Sequence, residues 1–456
     1  MDRNTLGLEG AALPGAQPLI DFSTACAQNN EHRSMSFRGI PDAELDPHPR
    51  LTWVIEMGFD VCVRLLYRKQ EVWHEGYRLE PGTLVVSNHQ RDSDVPILAT
   101  SLCMRRGWRF RWPLTFFMAR EDLYGPGFLT EYLPNRPPLT QVLGRIRLAW
   151  FFRAARAYPL RRVPEFSLGE TLDALLAADL GNTDPVDIFN TRGQRELLGI
   201  FGTLPARLAE LDRRRLRGFS RWGLRRVRLA ILRRIAPAFR AVIREQLEGY
   251  SRRLDAGRCV YIAPEGVTSA TGRFGRVRLG PRWLYRHTLA PPALLPTALS
   301  YDALAAGKRR VIVHVGRLVR GLDASSEAAF AAQVRRLILE LYMVNTSHLL
   351  ARFLTAGPER FSASELRAWL AGCVDFMRGH KIAADPLLMN TPVEVLCVRR
   401  LRGLQRLGLV ERDAVGWCNR ADRAAAAGWQ RPSNIVRYLD NALMDVAPEL
   451  PRVAGP

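Results

Sequence analysis

His89 and Asp94 stand five positions apart in the run Ser87-Asn88-His89-Gln90-Arg91-Asp92-Ser93-Asp94. That spacing lets a carboxylate hold an imidazole in one tautomer while the other ring nitrogen takes a proton from a hydroxyl. The chemistry it suggests is an acyl transfer in which the attacking hydroxyl comes from the substrate, so that no enzyme nucleophile is required. A histidine capping a loop and an aspartate capping a helix would also account for the pair. A second candidate is Ala263-Pro264-Glu265-Gly266, followed by Thr268-Ser269-Ala270-Thr271-Gly272-Arg273. A glutamate on such a turn can orient an arginine or hold a substrate hydroxyl, and the small residues let backbone amides approach an anion. The alternative is a Pro–Gly turn carrying a solvated glutamate.

Both runs need strands to position them. Short β-rich segments alternate with helical ones from about 80 to 320: Thr83–Ser87, Leu114–Ala119, Ala157–Arg161, Cys259–Ala263, Ala293–Ala298 and Arg310–Val315. Continuous apolar strands alternating with helices predict an α/β layer with both sheet faces covered. Sites in such sheets gather at the carboxyl ends of strands, and His89 and Glu265 each fall just after one. Ser93 or Asp94 is placed to cap a helix that Pro96 helps start, which would set Asp94 in a first turn pointing back toward His89.

The flanking segments divide the chain further. Residues 1–45 are rich in Gly, Pro, Asn and Ser without periodicity and read as a loose tail. An α/β domain is expected over 46–325, interrupted by a helical basic insertion at about 165–240. Leu51–Tyr67 reads as a helix, either core-packed or dipping into a membrane interface. Arg214, Arg217, Arg221, Arg225 and Arg228 recur at helical spacing within 213–234. This predicts a basic amphipathic helix for an anionic membrane surface or an acidic protein, or else a solvated face. Beyond 326 the pattern is helical to 456, with Ala328–Tyr342, Ser347–Leu354 and Ser362–Arg378 as helices and a capping box at Ser362 and Glu365. Val393–Leu407 followed by Gly408-Leu409-Val410-Glu411 suggests a helix and strand of winged-helix type.

The net charge of +21 comes almost wholly from arginine, since only Lys69, Lys308 and Lys381 are lysines. Arginine suits bidentate capture of phosphates and carboxylates. Charge alone leaves anionic lipid, an acidic carrier protein and nucleic acid open. The 7 cysteines are scattered with no C-x-x-C pair, which argues against a disulfide framework or a zinc site and for a reducing cytosol. No basic start with an apolar run opens the chain, and no stretch of about 18–20 uncharged apolar residues occurs, so membrane contact is expected to be peripheral.

Four blocks in order resemble the glycerolipid acyltransferases, the family of glycerol-3-phosphate and lysophosphatidate acyltransferases. They are Asn88-His89 with Asp94, and Phe117-Met118-Ala119-Arg120-Glu121-Asp122-Leu123 with Gly125-Pro126-Gly127 and Ala157-Tyr158-Pro159-Leu160-Arg161-Arg162. Pro264-Glu265-Gly266 with Thr271-Gly272-Arg273 follows, then Leu295-Pro296-Thr297-Ala298 with Tyr301. Ala157 stands where the family carries a glycine, and Thr268-Ser269 where it carries an arginine. The resemblance implies a mixed sheet flanked by helices, with a helical insertion and an α-helical C-terminal domain. It implies an O-acyltransferase of phospholipid biosynthesis, using acyl-CoA or acyl carrier protein as co-substrate, with no other cofactor and no metal. The acceptor would be glycerol-3-phosphate or its 1-acyl form; a lysophospholipid or an amino-acid lipid is the alternative. His89 would act as general base oriented by Asp94. Arg161, Arg162, Glu265, Gly266 and Arg273 would bind substrate, and backbone amides at 89–94 or 264–267 would face the oxyanion. The expected place is cytoplasmic, peripheral on the inner face of the membrane, with the helix at about 213–234 on anionic lipid. A basic nucleic-acid-binding protein would leave the four ordered blocks unexplained, so no nucleic acid is expected.

Overall fold

The structure is a computed structural model that describes residues 49–75, 79–105, 109–110, 113–124, 148–161, 166–216, 223–305, 307–423, 434–451 and 453. The expected tail, Gly125-Pro126-Gly127 and Arg162 lie outside these residues. The chain forms two compact units, one of Arg161–Glu245 and one of the segments before and after it.

The second unit is built on a seven-stranded sheet. The chain enters through helix α1 (Pro49–Leu66) and runs into strand β1 (Tyr67–Trp73), then β2 (Leu84–Ser87), helix α2 (Asp94–Cys103) and β3 (Thr115–Ala119). Helix α3 (Ala149–Ala154) and β4 (Ala157–Pro159) follow. The sheet is completed after the first unit by β5 (Cys259–Ile262), β6 (Leu294–Asp302) and β7 (Arg309–Val315), with helix α4 (Leu279–His287) between β5 and β6. The strand order is β1-β7-β6-β2-β5-β3-β4. All neighbours are parallel except β6 and β7, so the sheet is mixed but mainly parallel. The six predicted strands all form. The seventh, β1, escapes a pattern reading because Arg68, Lys69, Gln70 and Glu71 make it polar; it is an edge strand paired only to β7.

The central strands are apolar because they are covered on both faces. Leu84, Val85, Val86 and Ser87 of β2 are all buried, as are Cys259 to Ile262 of β5 and all of β6. β2 and β5 lie side by side with Val86 opposite Ile262. The turns after them therefore leave the same sheet edge in register, which brings His89 beside Glu265.

Helix α1 buries three polar residues, while Arg50 and Arg64 are exposed. Thr52, Glu56 and Asp60 are buried. The Thr52 hydroxyl donates to the Ala154 carbonyl, and Glu56 pairs with buried Arg156 at 2.7 Å. Leu51, Val54, Val61 and Leu65 recur at helical spacing on the outer side, with Leu65 70% exposed. Trp150 of α3 is also exposed, and the rings of Phe59 and Phe151 pack edge to face between the two helices.

Toward the C-terminus come α5 (Glu327–Leu341), α6 (Thr346–Ala356), β8 (Arg360–Phe361), α7 (Ala363–Gly379), α8 (Pro386–Asn390), α9 (Val393–Arg406), β9 (Val410–Arg412), β10 (Trp417–Asn419) and α10 (Ile435–Val446). Ser362 and Glu365 form the predicted capping box. The predicted helix over Val393–Leu407 and its strand belong to a small antiparallel sheet of order β8-β10-β9. Arg400 of α9 is buried and donates to Asp302 at 2.6 Å, and Arg310 donates to Asp302 and Asp385. This buried cluster ties the small sheet and its helices to the end of β6.

The Arg161–Glu245 unit has its own apolar cluster around Phe166, Leu172, Leu197 and Phe239. Residues 217–222 of the expected helix over 213–234, with Arg217 and Arg221, lie outside the described residues, and the described remainder is not one helix. Arg213–Leu216 is one short turn, Gly223–Arg226 is a 3-10 turn, and a long helix starts only at Leu229 and runs to Asp255 across the boundary between the units. Arg226 turns inward to Glu196 with two contacts of 2.6 Å, and Arg228 donates to the Phe189 carbonyl. These arginines hold loops together, and regular helical spacing in the sequence does not carry that information.

Candidate active site

The loop after β2 is fixed before any catalytic group is considered. Asn88 is buried, and its side chain pairs with both backbone groups of Leu299 on β6, each at 2.8 Å. The amide side chain thus extends the sheet ladder one residue past β2. His89 then leaves the sheet with its backbone N–H donating to Glu265 Oε1 at 2.9 Å and its carbonyl accepting from the Ser269 N–H at 2.8 Å.

Asp94 is the first residue of α2 and is fully buried. Its carboxylate points back into the loop, as its place in a first turn predicts. Oδ2 accepts the backbone N–H of Gln90 at 2.6 Å and of Arg91 at 2.9 Å, and lies 3.1 Å from His89 Nδ1. Oδ1 accepts the hydroxyl of Tyr301 on β6. A carboxylate so placed fixes the proton of His89 on Nδ1 and leaves Nε2 as the basic nitrogen. No hydrogen bond engages Nε2 among the described residues, and the side chain is 15% exposed. Ser93, expected as a cap, has no capping bond; its hydroxyl lies 3.0 Å from the Tyr67 hydroxyl instead.

Glu265 has a different position from the one its turn suggests. It is 3% exposed. Oε1 is taken by the His89 N–H, and Oε2 accepts the Gly275 N–H at 2.7 Å. Burial pushes its carboxyl pKa up, against the pull of those two N–H groups. Glu265 thus braces the histidine loop against the 266–275 loop. Gly266 sits at φ +67°, where its N–H closes a turn on the Ala263 carbonyl at 3.0 Å. The N–H groups of His89, Gln90, Arg91 and Gly266 all have partners within the protein.

The other predicted binding residues separate. Arg273 lies in the same unit, but it faces Asp445 of α10 at 3.3 Å. Arg161 belongs to the other unit and pairs with Glu170 at 2.6 Å. Arg162 lies outside the described residues. The structure therefore brings together His89, Asp94, Glu265, Gly266 and Arg273.

The C-terminal helices supply parts that the sequence does not flag. Gln90 donates to the Tyr342 hydroxyl at 2.9 Å, and that hydroxyl lies 2.9 Å from His348 Nε2. The Tyr438 hydroxyl of α10 donates to the Gln90 carbonyl at 3.3 Å. Asn441 donates to the Thr271 carbonyl at 2.9 Å, and Asp445 accepts the Phe274 N–H at 2.6 Å. Gly272, at φ +91°, packs so tightly on α10 that a Cβ would sit 1.9 Å from the Tyr438 carbonyl oxygen. Pro264 is held as well, its carbonyl accepting the Arg278 N–H. Among the described residues no group of three or more His, Cys, Asp or Glu side chains is arranged to hold a metal ion.

No protein-family model matches the sequence, and no curated protein matches it. Among solved structures, the chain is similar to the 1-acyl-sn-glycerophosphate (LPA) acyltransferase PlsC from Thermotoga maritima. The identity is 12%, the match covers 69% of this chain and 84% of that one, and the TM-score is 0.30. At that score the likeness is too slight to bear on function.

Proposed function

We propose that this chain is an O-acyltransferase that moves a fatty acyl group from an acyl thioester to a hydroxyl of a glycerol-3-phosphate-type acceptor. The observation that carries the reading is the His89–Asp94 pair, whose Nδ1 is held by a buried carboxylate while Nε2 has no protein partner among the described residues. Among the described residues no serine, threonine or cysteine is bonded to the ring, which fits a nucleophile brought by the substrate.

In this mechanism the acceptor hydroxyl donates to Nε2. As its oxygen attacks the thioester carbonyl, the proton passes to Nε2 and the imidazolium is stabilised by Asp94. The tetrahedral intermediate collapses by breaking the C–S bond, and the thiolate leaves with the proton that Nε2 carries. Thiolate is a good leaving group, so positioning and base catalysis suffice. Coenzyme A and acyl carrier protein are both donors of this class. A second reading is favoured by Asp445, which pairs with Arg273 and removes it as an unopposed phosphate contact. It keeps the chemistry and replaces the acceptor by a lysophospholipid or an amino-acid lipid.

The acyl chain and the acylated product are amphipathic, which favours a site that works at a lipid surface. No helix among the described residues is long and apolar enough to cross a membrane. The outward Leu51, Val54, Val61 and Leu65 of α1, with Trp150 beside them, suit a helix lying in the interface plane. This contact is proposed in place of the broken 213–234 segment.

Purified protein given glycerol-3-phosphate, its monoacylated form and a panel of lysolipids, each with both thioester donors, tests the reading. Product with one acceptor class and its loss in His89→Ala are expected. No transfer to any hydroxyl, or full transfer by His89→Ala, sinks it.

A further inference from the structure

Asp94 receives hydrogen bonds unequally on its two oxygens. Oδ2 takes the loop: His89 Nδ1 and the N–H groups of Gln90 and Arg91. The donor on Oδ1 is the hydroxyl of Tyr301, 207 positions away in the chain. Tyr301 is 1% exposed, on a strand whose nine residues are all buried. Its ring is packed by Tyr67 at 6.0 Å and by the Arg91 guanidinium at 5.4 Å. Burial, and then the charge of Asp94, hold its hydroxyl well above the ordinary phenol range, so it remains a donor at every pH at which the protein works.

We infer that Tyr301 is a positioning residue that sets the basicity of His89 through Asp94. A hydrogen bond to the charged form of an acid stabilises that form and makes it a weaker base. With Tyr301 in place, part of the Asp94 charge is drawn to Oδ1, and its hold on the Nδ1–H of an imidazolium is weakened. Tyr301 thereby tempers how strongly Asp94 favours the imidazolium over the neutral ring. The same bond fixes the rotamer of Asp94 from the side opposite the loop. The other titratable or charged groups about Asp94 are Tyr261 and Glu265 from β5 and its turn, Tyr342 after α5, Tyr438 on α10, Arg91 in the loop and Tyr67 on β1. All of them are unchanged by a substitution at 301, so a difference between variants reports the Tyr301 bond.

The kinetic part of this inference rests on the acyl-transfer reading; the titration part does not. The test follows the His89 ring protons by NMR across pH in the full chain, with the resonance assigned by its absence from His89→Gln. In Tyr301→Phe the midpoint is expected to rise by about half a unit to one unit. The acid limb of kcat should move with it, lowering kcat by about three- to tenfold below the limb and leaving KM in place. Tyr261→Phe removes another buried hydroxyl, bonded to Ser87 at 2.9 Å, and should keep the wild-type midpoint. A ring-fluorinated tyrosine at 301 has the same shape and donates more strongly, so its midpoint should fall; it decides the matter if Tyr301→Phe does not fold. A wild-type midpoint in the Tyr301 variants, or an equal shift in Tyr261→Phe, overturns the inference. A protein that titrates as expected and transfers no acyl group overturns the proposed function instead.

Discussion

Asp94 and Glu265 are both carboxylates on turns that leave neighbouring parallel strands, and both are buried. Their surroundings separate them. Asp94 shares its charge with an imidazole whose far nitrogen has no hydrogen bond among the described residues. Glu265 spends both oxygens on backbone N–H groups, one in each loop. In the proposed mechanism one carboxylate acts on a proton through a ring, and the other builds the wall beside which that ring stands. Residue type, strand-end position and the two backbone N–H groups that each accepts do not distinguish these roles; the imidazole held by Asp94 does.

The largest effect that follows is on turnover. His89→Ala should lower kcat by about 10²–10⁴-fold with an unchanged melting temperature, because only proton transfer is lost. Glu265→Gln, which keeps one acceptor oxygen, should retain most of that rate. Equal losses in the two variants would erase the distinction between the carboxylates.

Acid should act on the scaffold under Gln90. Burial pushes the His348 pKa down to about 4, against an ordinary 6.5. Between those values the unfolded chain binds the proton and the folded one does not, so stability is lost as pH falls from 6.5 toward 4. The contribution is on the order of 3 kcal/mol at neutral pH. Urea unfolding at pH 7 and pH 5 should show this loss, and His348→Gln should flatten it.

Glu265→Ala should destabilise the fold by roughly 2 kcal/mol or more, because two N–H groups lose their acceptor. Thermal unfolding reads this directly, and a variant as stable as wild type would mean water replaces the carboxylate. Arg273→Ala should cost below about 1 kcal/mol, since its pair with Asp445 is half-exposed. An acyl acceptor bound through its phosphate at Arg273 would reveal itself here by a raised KM, and an unchanged KM favours an acceptor that Arg273 does not hold.

Much of the framework was legible because period and burial agree. Leu84-Val85-Val86 and Cys259-Val260-Tyr261-Ile262 are apolar on both faces, and the chemistry follows each at the strand end, where a parallel sheet places it. What escaped reading is long-range. Asn88 closes on Leu299 and Tyr301 on Asp94 across more than 200 positions, and nothing local to either residue marks its partner. β1 was hidden by its polar edge. Arg214, Arg217, Arg221, Arg225 and Arg228 keep a helical spacing, yet Gly223–Arg226 is a 3-10 turn and the long helix begins only at Leu229.

Gly272 under the Tyr438 carbonyl bears on when the chain becomes competent. His89, Asp94, Glu265 and Tyr301 are all synthesised before residue 302, yet the loop that Glu265 braces is held by Tyr438, Asn441 and Asp445. During synthesis the catalytic pair therefore leaves the ribosome long before its last support. A nascent chain that stops short of Ile435 has the residues of the candidate site without the helix that closes it, so the proposed activity is expected only once α10 has been made.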